Sequence, residues 1–340
     1  MTKVIQGFVM VDTWAAALNN AGVQSSERTD NIVRTKVIWR GRQAYPYVSG
    51  QSWRYWWRNT LAVRKGWQLS PINREAKIAY TAADPLTYPD DDIFGYMRAP
   101  KSEKDESGKK TKTTTLTRLS VLKNSPLIST GAHKPTEDFG TFSRLEGNPV
   151  PYEHEFYSTV LKGLFSIDVE SAGVFKSIAS AGSQNIPEDF KIPAQLASKC
   201  EKIERGVAMK KDIRIQRIRD TVEVIPHLEG GAMQARHLTR VAPSLLVIAA
   251  FKTGSHVLSH LGKEESGSAR LNIEALKQVI TDYRGELLTK LYVGRETGFL
   301  DEQSGEIDRL VAEYNKDIVV AGSVAGVVKM FCEEIPKLVG

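Results

Sequence analysis

Tyr45-Pro46-Tyr47-Val48-Ser49-Gly50-Gln51-Ser52-Trp53-Arg54-Tyr55-Trp56-Trp57-Arg58-Asn59-Thr60-Leu61 decides how this chain is read. Pro46 and Gly50 punctuate the stretch, and Ser49 is placed to cap a helix whose first turn begins at Gly50-Gln51. On a helical wheel, Trp53, Trp56, Trp57, Thr60 and Val63 share one broad face. Gln51, Arg54 and Arg58 fall in a narrow arc opposite, at spacings that set side chains side by side. The aromatic face predicts burial. The other presents two forked guanidinium groups beside a helix N-terminus, whose free N–H groups already favour an anion. The stretch reads as a buried helix offering a phosphate site.

The surrounding charge points the same way. Residues 31–74 contain no Asp or Glu but carry Arg34, Lys36, Arg40, Arg42, Arg54, Arg58, Arg64, Lys65 and Arg74. So basic a run repels itself unless it meets a polyanion or acids brought from elsewhere in the fold. Net charge over the 340 residues is only +6, yet the last 80 carry 14 acidic and 10 basic side chains, so the positive charge lies in the first two-thirds. That is the footprint of a nucleic-acid-binding face.

Length allows one large domain with insertions or two ordinary ones. A hydrophobic content of 41% and a charged content of 25% are those of a soluble globular protein. Cys200 and Cys332 are too few for a disulfide framework or a multi-cysteine zinc site. No cleavable signal pattern opens the chain and no apolar run is long enough to span a bilayer, so a reduced cytoplasm is expected and no membrane. Walker-type, G-x-G-x-x-G and nucleophile-elbow motifs are missing, so neither an enzyme nor a cofactor is expected.

In chain order, residues 4–11 read as a buried strand, 18–34 as a loop and 35–39 as a short strand before the tryptophan helix. Residues 66–150 change character and read as an insertion, with a Lys/Ser/Thr/Gly-rich mobile tip over 101–115. Residues 155–170 suggest one long strand or a hairpin arm near Gly163. Between 199 and 219 eight basic residues stand against three acidic ones, and Ile213-Arg214-Ile215-Gln216-Arg217-Ile218-Arg219 alternates like a strand with a cationic face. Lys210, Lys211, Arg214 and Arg217 there would hold nucleic acid on a β-ribbon, unless the run is simply a solvated face. Gly230-Gly231, leading to Arg236 and His237, suggests a Gly-rich turn into a short helix that can meet phosphate, although a plain turn explains it equally well. Residues 244–251 read as a buried strand and 272–292, 306–316 and 323–338 as helices. His256 and His260 lack the Glu of a zinc-protease helix and read as surface residues. Asp90-Asp91-Asp92 reads as a helix-start or turn signal rather than a Mg²⁺ site.

These pieces, in this order, resemble the backbone subunit of the Cascade complex of type I CRISPR systems, and within it the DevR subfamily of type I-B loci. The resemblance rests on the strand over 4–11, on Pro46-Tyr47-Val48-Ser49-Gly50-Gln51-Ser52-Trp53-Arg54 and on Asp92-Ile93-Phe94-Gly95-Tyr96-Met97. Phe165-Ser166-Ile167-Asp168 and Gly230-Gly231 before Pro243 complete it. It implies an α+β fold: an RRM-like (ferredoxin-like) palm over 1–65, 151–183 and 225–340, with a finger insertion over 66–150 and a thumb over 184–224. It also implies a subunit that lines up with neighbouring copies of itself along a CRISPR RNA, among other Cascade subunits, and presents the guide to target DNA. On that resemblance Ser49, Gly50, Gln51 and Arg54 hold the RNA backbone. Related subunits of type III complexes cut RNA with an acidic residue in the loop where Asp30 lies, which makes a ribonuclease the alternative. A DNA-binding regulator would rest on the basic face alone, and no helix-turn-helix pattern accompanies it.

Overall fold

The computed structural model describes residues 2–24, 32–75, 78–99, 115–142, 150–178 and 184–340. Its centre is strand β1 (Val4–Ala16), apolar on both faces for most of its length. β1 can be apolar on both faces only because each is covered, a pattern ordinarily found inside layered α/β structures. The elements that matter here follow in order: β2 (Gln43–Val48), α1 (Gly50–Lys65), α2 (Pro89–Phe94), β3 (Leu122–Asn124), β4 (Leu127–Ser129) and β5 (Val150–Asp168). Then come α3 (Lys211–Glu223), β6 (Leu245–Phe251), α4 (Ile273–Tyr283), β7 (Leu291–Arg295), α5 (Ser304–Ile318), β8 (Val319–Gly322) and α6 (Val324–Cys332).

The fold is mixed α+β around a large, mostly antiparallel sheet. Its order is β8-β7-β6-β1-β5-β4-β2, closed at that edge by the strand Val37–Arg40; β3 also pairs with β5. β1 runs antiparallel to both neighbours, from Val4↔Asp168 on β5 and Val4↔Phe251 on β6. β3 is antiparallel to β5 in turn. So β1 and β3 run the same way with α1 between them in sequence, and β5 and β6 run the same way with α3 between them.

Alternation along the strands sorts the core into two layers. Ile5, Val9, Leu161, Phe165, Leu246 and Ile248 share a cluster with Trp53 and Trp57 of α1, Ile218 and Val222 of α3, and Phe331 of α6. On the opposite face Phe8, Met10, Leu245 and Val247 lie under Leu276 and Ile280 of α4 and Leu310 of α5. A third, smaller cluster with Phe175, Val207 and Met209 belongs to a separate sheet of Val174–Lys176, Gly206–Met209 and Cys200–Ile203.

Several expectations are corrected. Residues 213–219 are not a strand but part of α3, because Ile215, Ile218 and Val222 recur at three and four and turn one face to the main core. Ile213 and Ile215 alternate as in a strand, but the spacing from Ile215 to Ile218 and on to Val222 fits only the helix. The loop expected over 18–34 contains the strands Asn20–Gln24 and Ile32–Thr35. The helix expected over 272–292 ends at Tyr283, and Leu291–Arg295 is strand β7. Residues 155–168 belong to one strand, β5, without a hairpin at Gly163, and 169–170 are a turn. All but Thr115 of the basic tip over 101–115 lies outside the described residues, as does Asp30. No helix among the described residues is long and apolar enough to cross a membrane.

Candidate nucleic-acid interface

Helix α1 starts as its sequence dictates. Ser49 is extended (φ −62°, ψ 149°) and its hydroxyl accepts from Ser52 N at 3.3 Å. Gly66, left-handed at φ 66°, ends the helix. Trp53, Trp56, Trp57 and Thr60 are buried as expected, but Val63 is 76% exposed and Leu61 takes the inward place. The Trp57 ring meets Phe165 edge-on at 5.2 Å, and its Nε1 donates to Thr221 O at 2.9 Å, joining α1 to β5 and α3.

The N-terminus of α1 is held by the residues that follow β1. Ser49 N donates to Asn19 Oδ1 at 2.8 Å, Lys36 N to Asn19 O at 3.0 Å, and Ala232 N to Leu18 O at 3.1 Å. Asn124 Nδ2 donates to Gly50 O at 3.1 Å. Gly230 lies so close to Trp56 that a β-carbon there would sit 2.4 Å from the ring, and Gly231 has φ 97°, so only glycines fit this turn. The structure thus brings together Ser49, Gly50, Gly230, Gly231 and Lys36, which lie far apart in sequence. The N–H groups of the first turn of α1 lie beyond the helix's own hydrogen-bond ladder, apart from the one capped by Ser49.

The arginines of α1 do not present free forks, and that expectation is corrected. Arg54 Nη1 donates to Leu122 O at 2.5 Å and Asn124 Oδ1 at 3.3 Å; Nη2 donates to Phe94 O at 2.7 Å and Ser120 Oγ at 2.9 Å. Its guanidinium lies 5.3 Å from the Phe94 ring, and burial lowers its pKa from the ordinary arginine value. Arg58 pairs with buried Asp90 at 2.7 Å. The acids missing from 31–74 arrive from elsewhere: Glu155 to Arg34 at 3.2 Å, Glu229 to Arg64 at 2.7 Å, and Glu223 to Lys65.

Asp90, Asp91 and Asp92 supply the larger surprise. Asp90 also accepts from Ser70 N at 2.9 Å, and Asp91 accepts from Ser70 Oγ and Asp84 N, both at 2.9 Å. Asp92 is fully buried and takes Arg118, Arg217 at 2.7 Å and Gly173 N at 3.0 Å. Arg217 also donates to Pro85 O and Leu86 O, and Arg214 donates to Ala172 O at 2.8 Å. Arg214 and Arg217 therefore anchor α3 instead of forming a cationic strand face. Lys210 and Lys211 at the start of α3 are exposed. Burial raises the Asp91 pKa above the usual carboxylate value, ahead of opposing hydrogen bonds from Thr81, Asp84 and Ser70. His256 and His260 are exposed, and no metal-binding group of acidic, His or Cys side chains occurs among the described residues.

Beside the α1 turn lies a cleft of about 440 Å³, lined by Arg34, Lys36, Trp39, Tyr47, Lys134 and Glu137 among others. Arg34 is tethered to Glu155, whereas Lys36 and Lys134 carry no ion pair among the described residues. Trp39 is 63% exposed on the edge strand, and Arg40 and Arg42 are exposed around its turn. Reasoning from the sequence missed Trp39, Tyr47 and Lys134. The available signal was an aromatic residue beside Arg40-Gly41-Arg42, a basic turn. Arg236 does not line this cleft; its guanidinium lies 5.0 Å from the Tyr152 ring. Cations beside exposed rings suit the phosphates and bases of a single-stranded nucleic acid.

Among known proteins, residues 9–266 match the family described as CRISPR-associated negative auto-regulator DevR/Csa2. A search of curated proteins finds no match. Among solved structures, a chain of a CRISPR RNA-guided surveillance complex superposes with a TM-score of 0.53 at 8% identity, over 97% of this chain and 98% of that one. A second, from a CRISPR RNA-guided surveillance complex in a pre-nicking state, gives 0.49 at 8% identity over 98% and 99%. At such identity the likeness is one of fold.

Proposed function

Because the chain belongs to the CRISPR-associated negative auto-regulator DevR/Csa2 family, we propose that it is a CRISPR RNA-binding backbone subunit of a type I-B Cascade surveillance complex. The observation that carries this reading is the basic, aromatic-walled cleft beside the capped start of α1. Lys36 and Lys134 meet phosphates, with Arg40 and Arg42 extending the charge along the edge strand. Trp39 and Tyr47 stack bases, which needs no particular sequence. The N–H groups at Gly50-Gln51 and the Gly230-Gly231 turn approach the backbone where side chains cannot.

The two crossings, β1-α1-β3 and β5-α3-β6, are the arrangement of a ferredoxin-like palm, so we read the main sheet with α1 and α3 as that palm. In this reading the finger lies within residues 66–150, whose strands β3 and β4 return to the palm sheet. The thumb lies within 184–224: its strands Cys200–Ile203 and Gly206–Met209 join Val174–Lys176 in the small sheet, while its last helix, α3, is built into the main core. The subunit acts as a scaffold rather than an enzyme: it repeats along the guide with copies of itself and other Cascade subunits, and leaves bases free for target DNA. Nucleic acid that co-purifies with the protein tests the reading. RNA is expected; DNA alone, or none even at low salt, contradicts it.

A further inference from the structure

The short helix Gln234–His237 is held under strain. Met233 before it and Leu238 after it both occupy the left-handed region, at φ 56° and 46°, which an L side chain adopts only when its surroundings compel it. Leu238 is 89% exposed, so its own burial does not offset the strain. Gln234 Nε2 donates to Gly230 O at 2.6 Å and Thr239 O at 2.9 Å, which ties the segment mainly to itself.

Its grip on the rest of the protein runs through rings. The His237 ring centroid lies 5.8 Å from that of His154 and 5.9 Å from that of Phe156, and Arg236 covers Tyr152 at 5.0 Å. Tyr152, His154 and Phe156 alternate along one face of β5, with Tyr152 and His154 stacked at 5.9 Å. His237 also hydrogen-bonds the backbone of Ala15 on β1. Two ring nitrogens in this cluster, His154 Nδ1 and His237 Nε2, are buried and unpartnered. The facing charges are Arg236 and Asp138, whose Oδ2 lies 3.3 Å from His154 Nε2 while its side chain is largely in solvent.

We propose that the His154–His237 contact is a pH-sensitive latch, which holds Gln234–His237 on β5 while His237 is neutral and releases it, with Arg236, when His237 gains a proton. Such a proton would place a new charge beside His154 and Arg236, on a ring whose buried nitrogen has no acceptor. Burial first, then the charges of His154 and Arg236, lower the His237 pKa from the ordinary imidazole value. A released His237 therefore binds protons more readily than a latched one. The latch is at full strength above about pH 6.5, the ordinary imidazole value, and weakens as pH falls below it. Its consequence for RNA rests on the function proposed above, because the segment follows the Gly230-Gly231 turn; the release itself does not.

Amide hydrogen exchange of the full chain at pH 7.5 and 5.5, corrected for the intrinsic pH dependence, tests the latch. Residues 232–240 are expected to lose protection by up to about tenfold at pH 5.5, while β1 and β6 stay protected. His237→Phe keeps a ring in place and cannot titrate, so its protection should be the same at both pH values, and His154→Phe should shrink the effect from the strand side. Equal wild-type protection at both pH values overturns the proposal. So does an undiminished pH effect in both variants, since His133, His227, His256 and His260 would then be responsible. If release occurs but single-stranded RNA affinity is unmoved, the latch stands and the RNA role of this segment fails.

Discussion

Arg54 and Trp39 separate structure from binding at the scale of single side chains. Truncating Arg54 leaves the carbonyls of Leu122 and Phe94 without their charged donor. Arg54→Ala should therefore lower stability by about 2–4 kcal/mol in denaturant melts, with RNA affinity per folded molecule unchanged. The sequence by itself suggests the reverse, because nothing in the local pattern announces acceptors 40 and 68 residues away. Trp39→Ala removes an exposed ring, so stability should move by less than about 0.5 kcal/mol. Binding of single-stranded RNA should weaken by about 1–3 kcal/mol, the scale of one stacked base. Asp91 gives a pH signature. Its pKa is raised by burial, so the unfolded chain gives up that proton more readily, and the carboxyl's contribution is fully present below the unfolded value near 3.8 and lost as pH rises through the folded one. The melting temperature of Asp91→Asn relative to wild type should therefore climb with pH over that window; a constant difference between pH 3.5 and 7 would refute the assignment.

Among the elements, α1 was legible and α3 was not, for a physical reason. A cap, two punctuating residues and three tryptophans are local signals, and the helix runs from Gly50 to Lys65 as they require. The Ile213-Arg214-Ile215 alternation is also local and fits a strand, but the apolar positions Ile215, Ile218 and Val222 fit the helix, and Asp92 holds Arg217 of the same helix inward. Long-range ion pairing likewise hid the fate of Arg58: the acid-free run was real, yet its neutralising carboxylates come from Asp90, Glu223 and Glu229. The network centred on Asp92 ties α2, α3, the strand Leu116–Arg118 and the root of the small sheet at Gly173. Removing one partner strands buried charge. Asp92→Ala should cost about 3–5 kcal/mol and loosen those four segments together in hydrogen exchange; loosening confined to one of them would contradict a shared hub.

For the whole molecule, both faces of the main sheet are closed, one by α1, α3 and α6 and the other by α4 and α5. An RNA strand therefore cannot lie across the middle of the sheet, and the edge strand Val37–Arg40 with the adjoining cleft is where charge and rings are open to it. The exposed Lys210 and Lys211 lie outside that cleft. Under the filament reading, Lys210→Ala with Lys211→Ala should shorten assemblies on long RNA in sedimentation while leaving one-subunit binding to short RNA intact. The central claim is that the cleft beside α1 holds the guide. Equilibrium binding of short single-stranded RNA across a salt series, comparing wild type with Lys36→Ala plus Lys134→Ala, tests it most directly. Wild-type affinity should fall steeply with salt and the double variant should bind more weakly with a slope shallower by about two counterions, whatever the RNA sequence; identical affinity and slope in the two proteins would place the RNA elsewhere.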